Sequence, residues 1–96
     1  MRFYGKGPAQ VKTHQIEDLV ICVLSDGFTT VERTLLARGE ASAVEAFRRT
    51  FQETMEEQFC EVVEGATDRR VRAYMSQVHV DPDVAVEMFM LEPEAQ

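Results

Sequence analysis

No stretch of about 18 apolar residues occurs in this 96-residue chain, which leaves no candidate for a membrane-spanning helix. Glycine and proline are scarce, at five and three residues, too few for a disordered or low-complexity chain. The opening Met1-Arg2-Phe3-Tyr4-Gly5-Lys6-Gly7-Pro8 carries basic residues but lacks the apolar core of a secretory signal. A cytoplasmic location, without direct membrane insertion, is the default expectation. Basic charge is in deficit, with ten Lys and Arg against 17 Asp and Glu, a formal charge of −7 and a pI near 4.7. Such a surface repels phosphate backbones, so nucleic acid is not an expected partner. The two cysteines, Cys22 and Cys60, have no Cys-x-x-Cys spacing and read as reduced, buried thiols.

What is present, 45% hydrophobic and 28% charged residues, describes one small globular domain over residues 1–96. Val11 to Ile16 reads as a strand that reaches the acidic link Glu17-Asp18, and Leu19-Val20-Ile21-Cys22-Val23-Leu24 as a second, apolar on both faces, so that the two form a hairpin. Thr29-Thr30-Val31-Glu32 has the capping-box pattern that opens a short helix, with Gly39 placed to end it. Ser42-Ala43-Val44-Glu45 repeats that pattern and predicts a single long helix to Gly65. Its inner stripe would be Val44, Phe47, Phe51, Met55, Phe59, Val62 and Val63, with Arg48, Arg49 and the glutamates facing solvent. Beyond Gly65 the period falls to two, giving a strand from about Arg70 to Val80, a tight turn at Asp81-Pro82-Asp83 and a return strand over Val84 to Leu91.

The expected fold is therefore α+β: a two-layer sandwich with an antiparallel four-stranded sheet and two helices in the order ββααββ. A helix of roughly 22 residues spans about 33 Å, whereas a seven-residue strand covers about 23 Å, so the helix should overhang the sheet. Apolar residues on both faces of two strands exceed what one helix layer can cover, and a homodimer is the simplest remedy.

Candidate chemistry is sparse. Gly5-Lys6-Gly7-Pro8 lacks the spacing of a phosphate-binding loop and reads first as a turn. His14 and His79, the latter near Asp81 and Asp83, have no accompanying metal-ligand spacing, and neither cysteine has a base nearby in sequence. Ser25, Ser42 and Ser76 lack the context of an activated nucleophile. No catalytic residue, metal ligand or cofactor is assigned. The one local departure from the acidic background is Arg69-Arg70-Val71-Arg72, which with Arg48, Arg49 and Lys6 forms the candidate anion- or partner-binding set. Pairing of these arginines with the glutamates of the long helix, or with a partner subunit, is the simpler reading of the same residues.

Several segments occur together and in order: Gly5-Lys6-Gly7-Pro8, Asp26-Gly27-Phe28-Thr29-Thr30-Val31-Glu32-Arg33-Thr34-Leu35-Leu36, Arg48-Arg49-Thr50-Phe51, Val63-Glu64, Arg69-Arg70-Val71, His79-Val80-Asp81-Pro82-Asp83 and Met88-Phe89-Met90-Leu91. In these the chain resembles the bacterial MpsC-like family from about residue 4 to residue 92. That family was long described only as a domain of unknown function and is named after a sodium-translocating, membrane-potential-generating system. The resemblance implies a small accessory protein of a membrane system, with a membrane-system protein as partner, and supplies no catalytic residues to carry over. Family members often have a helical segment before the Gly-Lys-Gly-Pro turn, where four residues precede it here, and many have Thr-Gly where this chain has Thr67-Asp68. The expected function is a non-enzymatic interaction module, the alternative a small-ligand or anion sensor.

Overall fold

The computed structural model describes residues 10–94. Strands β1 (Gln10–Ile16) and β2 (Leu19–Ser25) form the first hairpin, helices α1 (Thr30–Ala37), α2 (Ala41–Thr54) and α3 (Glu56–Thr67) follow, and β3 (Val71–His79) and β4 (Val84–Leu91) form the second. The four strands make one antiparallel sheet in the order β1-β2-β4-β3. The α+β class and both hairpins agree with the sequence reading, but the order is ββαααββ, because the expected long helix is two.

Met55 divides them, with φ −91° and ψ 3°, ending α2 and preceding α3. No glycine or proline marks the break. Glu56 and Glu57 fill the first turn of α3, where carboxylates complement the positive end of the helix dipole. Nor does the Ser42 capping box form: α2 begins two residues earlier, at Ala41 after Glu40, with no side-chain cap. The Thr29 box does form. Glu32 N donates to Thr29 Oγ1 at 3.2 Å, and Thr29 N donates to Glu32 Oε1 at 2.9 Å. Gly39, at φ +77°, ends α1 with the Gly39 amide on Leu36 O and the Glu40 amide on Leu35 O, a Schellman closure that needs a left-handed residue. Helix α3 runs past Gly65 to Thr67 and stops at Asp68, which is itself left-handed.

Alternation along the strands divides the sheet into two unlike faces. Val20 and Leu24 on β2 and Ala85, Glu87, Phe89 and Leu91 on β4 are buried on one of them. There Val20, Phe89 and Leu91 pack with Phe59 and Val63 of α3, and Tyr74, Cys22, Phe51 and Met55 complete the core. The other face presents Leu19, Ile21, Val23, Val86, Met88 and Met90, all partly exposed, together with Ala73 and Met75 of β3. No described helix lies on it.

The buried stripe of α2 is not the apolar one that spacing predicts. Val44, Arg48 and Gln52 are buried, whereas Phe47 is 55% exposed and Phe51 and Met55 are half-buried. On α3, Phe59 and Val63 are buried but Val62 is exposed. The rotation has a physical cause: α2 must turn Arg48 inward to meet two carboxylates. Gln52 goes in with it, and neither its amide nitrogen nor its oxygen meets a hydrogen-bond partner among the described residues.

Candidate functional site

The five described positions of the candidate anion- or partner-binding set are given different roles by the fold. Lys6 and the Gly5-Lys6-Gly7-Pro8 turn lie outside the described residues. Arg48 is 3% exposed. Its Nε donates to Glu32 Oε2 at 2.7 Å and one terminal nitrogen to Glu32 Oε1 at 3.1 Å, while the other donates to Asp83 Oδ1 at 2.8 Å. The second Asp83 oxygen accepts from the Gly27 amide at 2.6 Å, and the Phe28 ring lies 4.5 Å below the guanidinium carbon. One side chain thus ties α2 to the cap of α1, to the β2–α1 loop and to the β3–β4 turn. Burial disfavours both charges, but the pairing outweighs it, leaving the Glu32 carboxyl below its ordinary value and the Arg48 guanidinium above its own.

Arg49 makes an exposed i,i+4 pair with Glu45 at 2.8 Å, a contact of small energetic weight. Arg69 bonds Asp18 Oδ1 at 2.5 Å and Glu92 O at 2.6 Å, joining the first hairpin's turn to the end of β4. Arg70 and Arg72 are exposed, Arg72 at the register shift between Val71 and Ala73 on the edge strand β3. His79 Nδ1 sits 2.8 Å from Pro82 O across the β3–β4 turn, whose Asp81-Pro82 peptide is cis. The turn's aspartates part company: Asp81 is exposed, and Asp83 belongs to the Arg48 clamp. Among the described residues no group of three or more His, Cys, Asp or Glu is placed to hold a metal ion.

A feature the sequence reading passed over lies on the helix side of the sheet. Helices α2 and α3 pack toward β3, so no described helix covers β1 on that side, and a cleft of about 310 Å3 opens between α3 and strands β1 and β2. Glu87, Cys22 and Thr13 contribute to its floor, and Val62, Val63 and Ala66 to its helical wall. Glu87 is 7% exposed and makes no hydrogen bond with the described residues. Burial alone pushes its carboxyl up to about 7. Cys22 stands directly opposite Glu87 on β2 and accepts a hydrogen bond from Thr13 Oγ1 at 3.7 Å. Its thiol is also pushed up, first by burial and then by the Glu87 charge, against the Thr13 bond. The signal for this site was a lone carboxylate in an eight-residue apolar strand, in phase with Ala85, Phe89 and Leu91.

Taken together, a helix-capped antiparallel sheet with a buried arginine clamp and an apolar cleft defines a small α+β domain. The family model described as "Na+-translocating membrane potential-generating system (MpsC)" matches residues 1–93, and the chain belongs to that family. No curated protein and no solved structure matches it significantly. Among the described residues no helix is long and apolar enough to cross a membrane.

Proposed function

We propose that this chain is a non-enzymatic interaction module that pairs with a second copy of itself through the helix-free face of its sheet, and that the pair acts as an accessory of the membrane-potential-generating system for which the family is named. The observation that carries the pairing is the chemistry of that face. In a chain of charge −7, the positions facing this way, from Gln10 to Ile16 on β1, Leu19 to Ser25 on β2, Val84 to Met90 on β4 and Ala73 to His79 on β3, include no carboxylate. The lone acid of β2 and β4, Glu87, points to the other side. An acidic protein that approaches its own copy elsewhere meets like charge; here it meets valine, isoleucine and methionine at the centre, with Lys12 and His14 on the β1 side.

The dimensions suit a second copy. Four strands about 4.8 Å apart, some seven residues long at about 3.3 Å each, give a footprint of roughly 450 Å2, and a symmetric pair would bury on the order of 1,000 Å2 in total, the size a specific interface needs. The apolar centre of that footprint, on β2 and β4, is of a size that often marks an interaction site. The accessory role rests on the family's printed description and on the exposed Arg70 and Arg72, which remain available to an acidic partner.

Sedimentation velocity on the intact chain and on Val86→Glu tests the pairing. The unmodified chain should sediment as a dimer and the variant, which puts one acid into the centre of the face, as a folded monomer by circular dichroism. A monomeric unmodified chain, or a dimer indifferent to Val86→Glu, overturns it. In the monomeric case, a membrane-system protein becomes the occupant to seek.

A further inference from the structure

We propose that the cleft between α3 and strands β1 and β2 binds a small aliphatic primary amine, its ammonium on Glu87 and its chain along Val62, Val63 and Ala66. This site is on the opposite side of the sheet from the pairing face, and the two proposals stand or fall separately.

Glu87 is the reason to look for a ligand. Its carboxyl sits mid-strand, 7% exposed, and no described residue hydrogen-bonds it. A buried carboxylate without a partner is costly, and proteins compensate for such a group with a cation, a donor or a proton. Among the described residues no basic side chain lines the cleft. Two hydroxyls share the Glu87 row of the sheet, Ser76 directly opposite on β3 and Thr13 on β1 beyond Cys22; Thr13 Oγ1 donates to Cys22 Sγ, and neither hydroxyl is hydrogen-bonded to Glu87. The described residues thus leave Glu87 to a proton or to a cation from outside, and the proposed ligand supplies the cation.

The rest of the cleft says what carries that charge. Its volume, about 310 Å3, is the liquid share of roughly ten water molecules, much larger than a bare ion requires. One carboxylate is also too few oxygens for a divalent cation. The walls are mainly apolar, with Phe59 and Phe89 at depth and Val62, 56% exposed, at the rim. That combination, a hydrophobic trough with one acid at its base, fits an alkyl chain ending in an ammonium group. Anionic ligands are disfavoured by Glu87 itself.

Because burial holds the carboxyl near neutrality, ammonium binding expels its proton and should strengthen as pH rises through about 7. Among the described residues lining the cleft, Cys22 of β2 is the other titratable group, and its raised thiol stays neutral in this range; β1 and α3 present no charged side chain there, and β3 sets Ser76 and Tyr74 beside Glu87 and Phe89.

The test is titration of the full chain with n-hexylamine hydrochloride and, separately, n-hexanol, followed by amide NMR at about pH 8 and about pH 5.5. Hexylamine should give saturable shifts centred on Thr13, Cys22, Val62 and Ala66, at least tenfold tighter at the higher pH, and binding should strengthen about threefold to fourfold per methylene from butylamine to hexylamine. Glu87→Gln should weaken hexylamine at least tenfold, and Ala66→Phe, at an exposed helix position, should block it by filling the trough. Equal binding of hexanol, amine binding that survives Glu87→Gln, or the absence of saturable shifts at millimolar amine would each overturn the proposal. None of these outcomes bears on the sedimentation of the chain.

Discussion

Arg48 and Asp83 are 35 residues apart in sequence and joined by a 2.8 Å ion pair in the interior, where each side chain is at most 6% exposed. Glu32 closes the same guanidinium from the other side. Three segments that share no secondary structure are therefore held by one charged group, and its neighbours depend on it.

Arg48→Met should destabilise the fold by about 3 to 5 kcal/mol, because it strands two buried carboxylates. That is a large part of the total for a domain of this size. Arg48→Lys should recover little, since an ammonium cannot reproduce the planar fork that spans Glu32 and Asp83. Urea denaturation of the two variants checks both statements; a loss below about 1 kcal/mol for Arg48→Met would show the clamp to be incidental.

Stability should fall as pH rises from about 4.5 to about 7 through Glu87. Its folded value is about 7 against an ordinary 4.5, so between these the folded chain binds more protons than the unfolded one. The contribution is complete below the unfolded value and is lost as pH climbs through the folded one. The shift corresponds to at most about 3 kcal/mol. Glu87→Gln should thus be about 1 to 3 kcal/mol more stable than the unmodified protein near pH 8, with the gap closing toward pH 4.5. Glu32 has the opposite sign: its lowered value contributes stability above about 4.5 that disappears as pH falls through the folded value. Denaturation at a series of pH values separates the two, and a Glu87→Gln variant with an unchanged slope between 4.5 and 7 contradicts this assignment.

The rotation of α2 makes aromatic truncations unequal. Phe59→Ala, in the core, should cost about 3 to 5 kcal/mol, and Phe51→Ala, half-buried, should cost less. Phe47→Ala, more than half exposed, should change stability by no more than about 0.5 kcal/mol. Thermal or urea unfolding of the three variants reads this order directly. A Phe47→Ala variant as damaged as Phe59→Ala would restore the inner stripe that spacing alone predicts.

Both hairpins, the first helix cap and the antiparallel sheet are legible in the sequence because each rests on a local pattern: two-residue alternation, the Thr29–Glu32 reciprocity, Gly39 after the last turn. The break at Met55 is not legible, since Thr54-Met55-Glu56 contains no residue that resists helix. The buried role of Arg48 is hidden for a different reason. Helical spacing of Val44, Phe47, Phe51 and Met55 describes a stripe adjacent to the one used, and the charges that pull Arg48 inward, Glu32 and Asp83, are distant in sequence. Pairing between remote segments also decides which strand the helices leave uncovered, so the cleft above Glu87 appears only in three dimensions. Of the arginine cluster, the sequence shows the charge but not its commitments: Arg48 and Arg69 serve the fold, and Arg70 and Arg72 are exposed.

Gln52→Met should stabilise the domain by about 1 to 3 kcal/mol. The amide is 1% exposed and unpartnered among the described residues, whereas a thioether of similar length has no hydrogen bonds to lose. A rise in the urea midpoint at constant slope is the expected readout, and a fall would show that the amide is satisfied in solution.

The pairing of two copies through the acid-free sheet face is tested most directly by isotope-filtered NMR on a mixed sample, one copy carrying labelled methionine methyls and the other unlabelled. Met75, Met88 and Met90 methyls should show contacts to aliphatic protons of the unlabelled copy, attributable to Ile21, Val23 and Val86. Intermolecular contacts confined to other surfaces, or none at a concentration where the protein has twice the 10.9 kDa chain mass, would contradict it.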